Sequence, residues 1–256
     1  MLLAIDIGNS ETTWGIFDGD DLRVRFRTSS ITARTADEYR LLLEGFLGIF
    51  KLSSSDIDSV SLCSVVPPVT GVFKDFLSKY NFPLLIVGAG IRTGIRIRFD
   101  NPREVGSDRI VDAVAAHNLY GGDIIIVDLG TATTFDVVSS EGDYLGGAIA
   151  PGLVGAMDSL FHRTAALPRP DLVFPEKIIG KNTVAAMRSG ITFGYVSLIE
   201  GMLRRIQAEL GRKARVVSTG GLAGFLAQKT DAFDVVNPDL TLIGLKMLYQ
   251  LNHEDL

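Results

Sequence analysis

Two stretches, LLAIDIGNSETTWGIFDGDDLRVRFRT at residues 2–28 and IIIVDLGTATTFDVVSSEGDYLGGAI at residues 124–149, follow one grammar. Each runs an apolar strand into Asp-x-Gly (Asp6 and Gly8; Asp128 and Gly130), then hydroxyl residues, a second strand, a glycine-centred turn and a third strand. The turns are Asp18-Gly19-Asp20 and Glu141-Gly142-Asp143, and Asp6 and Asp128 stand 122 residues apart, close to half of the 256-residue chain. Self-similarity at that period predicts two halves of one design, divided near Tyr120-Gly121-Gly122 into residues 1–120 and 121–256.

Beyond each repeat, helical patterns alternate with short apolar strands. Tyr39, Leu42, Leu43, Phe46 and Phe50 recur at helical spacing over 37–50, a second helix starts after Gly106 and continues over 111–120, and strands are expected at 59–64, 84–87 and 215–218. Three antiparallel strands followed by alternating strands and helices, done twice, predict two α/β lobes facing each other across a cleft, where a ligand would sit.

The composition supports a folded globular chain, with 46% hydrophobic and 21% charged residues. A net charge of −5 offers no basic field for a nucleic-acid backbone. One cysteine, Cys63, excludes an intrachain disulfide and fits a reducing cytoplasm, and three scattered histidines give no zinc-finger spacing. The start carries no basic region before Asp6 and so does not read as a signal peptide. The longest uncharged apolar stretch, 144–157, holds four glycines and Pro151 and falls short of the ~20 residues that span a bilayer. No membrane segment is expected.

In the first repeat, Gly8 would let backbone approach a phosphate while Asn9, Ser10 and Thr12 offer donors, and Asp6 could hold a hydrated Mg²⁺. A plain hairpin turn reads equally from these residue types. The second copy, Asp128 to Asp136, favours phosphate, because two like turns could grip a polyphosphate from both sides. Thr219-Gly220-Gly221 lies between a strand and a helix expected from Leu222, where glycines admit a flat ligand and a helix start attracts anions, or where a simple turn is made. Asp108 and Arg109 are adjacent at a helix start. They could accept a hydroxyl proton and hold an anion, or Asp108 could merely complement the helix dipole. The run Gly88-Ala89-Gly90 with Gly94 lacks dinucleotide-loop spacing and leads into IRIRF, a strand pattern. No G-x-x-x-x-G-K-[ST] occurs, so an ATP site would be built without a P-loop. His162 has no accompanying nucleophile motif and receives no role.

Taken in order, DIGNS at 6–10, FDNPREVGSDR at 99–109, DLGTATTFD at 128–136, GGAIAPG at 146–152, ALP at 166–168, GKNTVAAMRSG at 180–190 and TGG at 219–221 resemble the type III pantothenate kinases of the actin and sugar kinase superfamily. The resemblance implies a duplicated ribonuclease H-like, actin-like ATPase fold of two lobes around a central cleft. It implies transfer of the γ-phosphoryl group of ATP to pantothenate, the first step of coenzyme A synthesis. By position, Asp108 matches the base, while Phe99, Gly106, Ser107, Asp108, Arg109 and Thr183 match the pantothenate site. The turn Asp6, Ile7, Gly8, Asn9, Ser10, Glu11, Thr12 and Thr13, together with Thr131, Gly220 and Gly221, matches the ATP site. Asp6 would hold Mg²⁺ through water, and Asp128 matches the ligand of a monovalent cation, K⁺ or NH₄⁺. A homodimer with its substrate site near the subunit interface is also implied. Glu11 departs from the Asn expected there, and its carboxylate would repel phosphates unless it points outward or meets a cation. A non-catalytic transcriptional accessory factor of the same family, or a superfamily kinase for another substrate, is the competing reading. The three aspartates Asp6, Asp108 and Asp128 and the substrate-side FDNPREVGSDR and GKNT segments favour the kinase.

Overall fold

The computed structural model describes residues 1–162 and 171–253, so the ALP motif at 166–168 and the side chain of His162 lie outside it. The chain forms two compact units, one of Met1–Leu119 joined by the segment from Asp239 onward, the other Tyr120–Pro238.

In the first unit β1 (Leu2–Ile7), β2 (Glu11–Asp18) and β3 (Asp21–Ser29) are antiparallel, while β4 (Ser59–Ser64) and β5 (Leu84–Ile86) run parallel to β1. The sheet order is β3-β2-β1-β4-β5. Gly19 at φ +60° makes the two-residue link between β2 and β3, a left-handed position natural to glycine. Successive side chains alternate between faces. Leu3, Ile5, Ile7, Trp14, Ile16, Val60 and Leu62 therefore share one face with α1 (Ala36–Ile49) and α2 (Pro67–Ser78), forming a core around Trp14, Phe73 and Phe76. Helix α1 starts where Thr35 and Glu38 make a reciprocal capping box.

On the opposite face the strands carry Ala4, Gly15 and Ser61 at facing positions, residues small enough to admit a helix closely. The C-terminal helix α7 (Leu240–His253) lies there, with Leu242 against Gly15 and the Ser61 hydroxyl donating to the Leu245 carbonyl at 2.8 Å. This corrects the expected lobe of 121–256. The last helix returns to the first unit because that sheet face, lined by small residues, would otherwise leave apolar surface uncovered. Helix α3 (Ser107–Tyr120) follows Gly106 as expected, with Asp108 and Arg109 in its first turn, and its Val111 carbonyl abuts Gly244 of α7. The IRIRF pattern yields only the two-residue strand β6 (Arg96–Ile97).

The second unit repeats the plan. Strands β7 (Ile124–Leu129), β8 (Ala132–Val138) and β9 (Asp143–Pro151) are antiparallel, and β10 (Arg215–Thr219) and β11 (Val235–Val236) run parallel to β7. Asp6 pairs across to Thr13 and Asp128 to Thr134, so the two turns have matching registers. A Cβ on Gly147 would overlap the Phe135 carbonyl, which reserves that place in β9 for glycine. The core lies between this sheet and the 28-residue helix α5 (Thr183–Leu210), through Tyr195, Val196, Ile199 and Leu203. Helix α4 spans Leu153–His162, and the helix expected from Leu222 is only α6 (Ala223–Leu226).

Gly244→Ala would gain roughly 1 kcal/mol of helix propensity. It would also drive a methyl into a backbone carbonyl that cannot swing aside. The overlap dominates, and urea denaturation should show a net loss of about 1–3 kcal/mol.

Candidate active site

In the first unit, alternation on β1 puts Asp6 on the face opposite Ile5 and Ile7, beside Cys63 on the parallel strand β4. The buried Cys63 thiol donates to the Asp6 carboxylate at 3.3 Å. One edge of Asp6 reaches solvent, yet its surroundings withhold enough water to push the carboxyl up to about 7. The Cys63 hydrogen bond opposes that rise, and the charge of Asp108 adds to it. Burial likewise pushes the Cys63 thiol up, helped by the negative charges of Asp6, Asp108 and Asp112, so it stays protonated as a donor.

Asp108 is brought to this carboxylate by the start of α3. The Ser107 hydroxyl donates to the Ser64 carbonyl at 3.0 Å and accepts from the Ser64 amide at 3.1 Å, pinning the helix to the end of β4. Asp108 accepts from the Arg109 amide at 2.8 Å. A Cβ on Gly106 would strike the Asp108 carboxylate, so glycine is what leaves that carboxylate its position. Gly106, Ser107, Asp108 and Arg109 are all half-buried, as is Phe99 in the segment before them.

The turn between β1 and β2 closes with the Gly8 amide donating to the Glu11 carbonyl at 3.0 Å, leaving Asn9 and Ser10 exposed. Thr13 is half-buried and shares the Asp6 face. Thr12 differs from the expectation of a phosphate donor. It pairs with Ile7 on the core face, is fully buried, and its hydroxyl is bonded to Ser30 at 2.9 Å. Glu11 meets a cation, forming an ion pair with Arg27 at 2.8 Å. That pairing offsets the repulsion its carboxylate would present to phosphate.

The second unit repeats this turn. Asp128 is half-buried near the end of β7, and the Gly130 amide donates to the Ala132 carbonyl at 3.1 Å, presenting Thr131 to solvent. Across the parallel strand Asp128 pairs with Thr219, as Asp6 does with Cys63. Gly220, at φ +86°, lies so close that a Cβ would strike the Asp128 carboxylate and approach the Leu129 backbone to 2.7 Å. Gly221 is exposed beside it, and the Leu222 amide donates to the Leu129 carbonyl at 3.2 Å. The four-residue α6 is too short to supply the helix dipole expected there. Thr183 is the exposed first residue of α5, capped by Asn182, and helps line an apolar groove of about 560 Å³ with Leu153, Met187 and Leu198.

Sequence reasoning missed Cys63 and Ser64 as neighbours of the carboxylates. The signal was the alternation of β4, which puts Ser61 and Cys63 on the Asp6 face.

Two duplicated α/β units with an Asp-x-Gly turn in each define an actin-like ATPase and sugar kinase fold. Solved structures agree in fold: a chain of Campylobacter jejuni assigned to the Baf family of transcriptional activators is 22% identical, with a TM-score of 0.61 over 99% of this chain and all of that one. An inorganic polyphosphate/ATP-glucomannokinase of Arthrobacter is 14% identical, with a TM-score of 0.54 over 98% and 99% of the two chains. Within that class, the family model of type III pantothenate kinase matches residues 2–205. Type III pantothenate kinases of Dehalococcoides mccartyi and Moorella thermoacetica are each 51% identical over 98% of this chain, covering 96% and 100% of those proteins. The chain belongs to the type III pantothenate kinase family.

The raised Asp6 carboxyl sets a pH signature. Its folded value near 7 exceeds the ordinary 3.8, so the native state holds this proton more tightly than the unfolded chain. The stabilisation is complete below about pH 4 and is lost as pH rises toward 7. In nucleotide- and metal-free protein, Asp6→Asn should therefore gain on the wild type by roughly 1–4 kcal/mol between pH 4 and 7. A stability difference that stays constant with pH in denaturation experiments would refute the shift.

Proposed function

We propose that this protein transfers the γ-phosphoryl group of ATP to the primary hydroxyl of pantothenate, with Asp108 as general base. The observation that carries this reading is the seating of Asp108 at the start of α3, between Gly106 and the Arg109 amide and close enough to Asp6 for their charges to interact. Membership of the kinase family supports it.

The hydroxyl oxygen of pantothenate forms a bond to the γ-phosphorus as the bond from that phosphorus to the bridging oxygen of ADP breaks. The hydroxyl proton passes to the Asp108 carboxylate, and ADP leaves with the bonding electrons. A transition state of this kind asks mainly for positioning and charge neutralisation, which a plain carboxylate base and backbone donors can serve. Arg109 holds the pantothenate carboxylate, Phe99, Gly106 and Ser107 shape its site, and Thr183 is a further candidate contact. Asn9, Ser10, Thr13, Thr131, Gly220 and Gly221 are the candidate ATP contacts. Thr12 supports its turn through Ser30.

Among the described residues no three His, Cys, Asp or Glu side chains converge as a metal site. Asp6, a lone carboxylate, would hold a hydrated Mg²⁺ through water, and the ion would supply neutralisation of the phosphate charge. Asp128 offers a single half-buried carboxylate, a hard and weakly charged donor that suits K⁺ or NH₄⁺.

A homodimer is supported by the exposed Ile178, Ile179 and Leu198 and the apolar groove along α5 in the second unit. A single buried thiol suits the reducing cytoplasm, and the net charge of −5 argues against nucleic acid as a partner. No helix among the described residues is long and apolar enough to cross a membrane.

Coupled ADP release with ATP, Mg²⁺ and pantothenate tests the reading. Wild-type turnover should require pantothenate and be supported by K⁺ over Na⁺. Asp108→Asn should lose about 10²–10⁴-fold in kcat with an unchanged circular dichroism spectrum. Folded wild-type protein that releases no ADP in response to pantothenate would overturn the assignment. Turnover indifferent to K⁺ would remove only the cation role of Asp128.

A further inference from the structure

The two turns have corresponding buried threonines, Thr12 opposite Ile7 and Thr133 opposite Leu129. Their hydroxyls differ in partner. That of Thr12 stays within its own sheet region, on Ser30, whereas that of Thr133 crosses to the phenol of Tyr195 on α5. The Tyr195 hydroxyl in turn donates to the Pro151 carbonyl at 2.9 Å. A phenol has one proton to give, so Thr133 is the donor toward Tyr195 and Tyr195 the donor toward Pro151. Burial pushes the phenol above its usual value, and it stays protonated at neutral pH.

Pro151 leads directly onto the phosphate turn. A Cβ on the next residue, Gly152, would fall 2.7 Å from the Gly130 carbonyl oxygen and 2.8 Å from the Thr131 carbonyl carbon, so the 151–152 backbone is pressed against that turn. Gly220 bears on the Leu129 backbone just before the same turn. Gly130 and Thr131 are thus held by backbone on two sides, and Tyr195 fixes one of them. Tyr195 also lies twelve residues along the helix from Thr183, about 18 Å at 1.5 Å per residue, so one rigid element carries both a substrate-side residue and the brace of the nucleotide-side turn.

We propose that Tyr195 is a positioning residue for nucleotide binding: through Thr133 and Pro151 its hydroxyl holds the Gly130–Thr131 turn in the conformation that receives phosphate. This inference rests on the reading of that turn as part of the ATP site. Tyr195 touches no reacting atom and acts only by limiting the freedom of the turn.

Tyr195→Phe keeps the ring in the core and removes both hydrogen bonds. Thr133→Val removes one of them at similar volume, and Thr133→Ser retains it. Hydrogen exchange at the Gly130 amide, bonded to Ala132, reads the second turn, and the Gly8 amide, bonded to Glu11, provides the internal reference in the first unit. Exchange at Gly130 should quicken about fivefold in Thr133→Val, the effect expected of one neutral hydrogen bond, and further in Tyr195→Phe, which loses two, while Gly8 is unchanged and Thr133→Ser behaves as wild type. The double variant Tyr195→Phe/Thr133→Val should add little to Tyr195→Phe alone. In the coupled assay, KM for ATP should rise by a similar factor with KM for pantothenate unaltered. Unchanged exchange at Gly130, or equal quickening at both glycines, overturns the inference, as does an equal rise in both KM values. The exchange measurement needs no turnover, so it decides the role of Tyr195 even where the absence of pantothenate-dependent ADP release has refuted the kinase reading.

Discussion

Two carboxylates, Asp6 and Asp128, must sit at the ends of buried central strands without entering the core, and most of the architecture follows from that constraint. Each is the penultimate residue of its strand, flanked by Ile5 and Ile7 or by Val127 and Leu129, all buried. The pleat sends the flanking side chains to one face and the carboxylate to the other. A desolvated carboxylate without partners would be costly, and in the first unit the Cys63 thiol on the parallel strand donates to Asp6. In the second unit Gly220, just after the parallel strand, leaves Asp128 the space that a Cβ would take.

Close backbone approach then organises what surrounds them. Gly244 lets α7 meet α3, Gly147 lets β9 lie against β8, and Gly152 and Gly220 let neighbouring segments press on the second turn. At all four a methyl group would meet backbone, at Gly220 together with the Asp128 carboxylate, so the contact could not relax by a rotamer change alone. Rigidity of this kind suits phosphoryl transfer, where placement of the hydroxyl, phosphate and base contributes more than covalent chemistry from the protein. Asp108 fits the same scheme, since its position follows from Ser107 pinned to β4 and from the missing side chain of Gly106.

Local pattern made much of this legible. The repeat announced the matched triplets β1–β3 and β7–β9, the apolar runs located β4, β5 and β10, and the spacing of Tyr39, Leu43 and Phe46 located α1 within a residue. Helix α5 left a weaker trace, because Gly190, Gly194 and Gly201 interrupt its pattern and only packing compensates their low propensity. The expected division near Gly121 leaves the C-terminal segment in the lobe nearer in sequence. Nothing local indicates that the strand face bearing Ala4, Gly15 and Ser61 is the one it covers.

The sequence by itself determined the duplication, the two Asp-x-Gly turns, the absence of a P-loop and the family, since each is a matter of residue type at fixed short spacing. Tertiary structure alone decided which hydroxyls are spent on the fold. Thr12 and Thr13 read alike in sequence, yet strand alternation turns Thr12 inward to Ser30 and leaves Thr13 on the Asp6 face. It also decided that Cys63 serves Asp6, that Arg27 meets Glu11 and that Tyr195 reaches Thr133 from 62 residues away. These pairings join residues far apart in the chain, and only the register of the strands and the packing of a helix on the sheet bring such partners within hydrogen-bond reach.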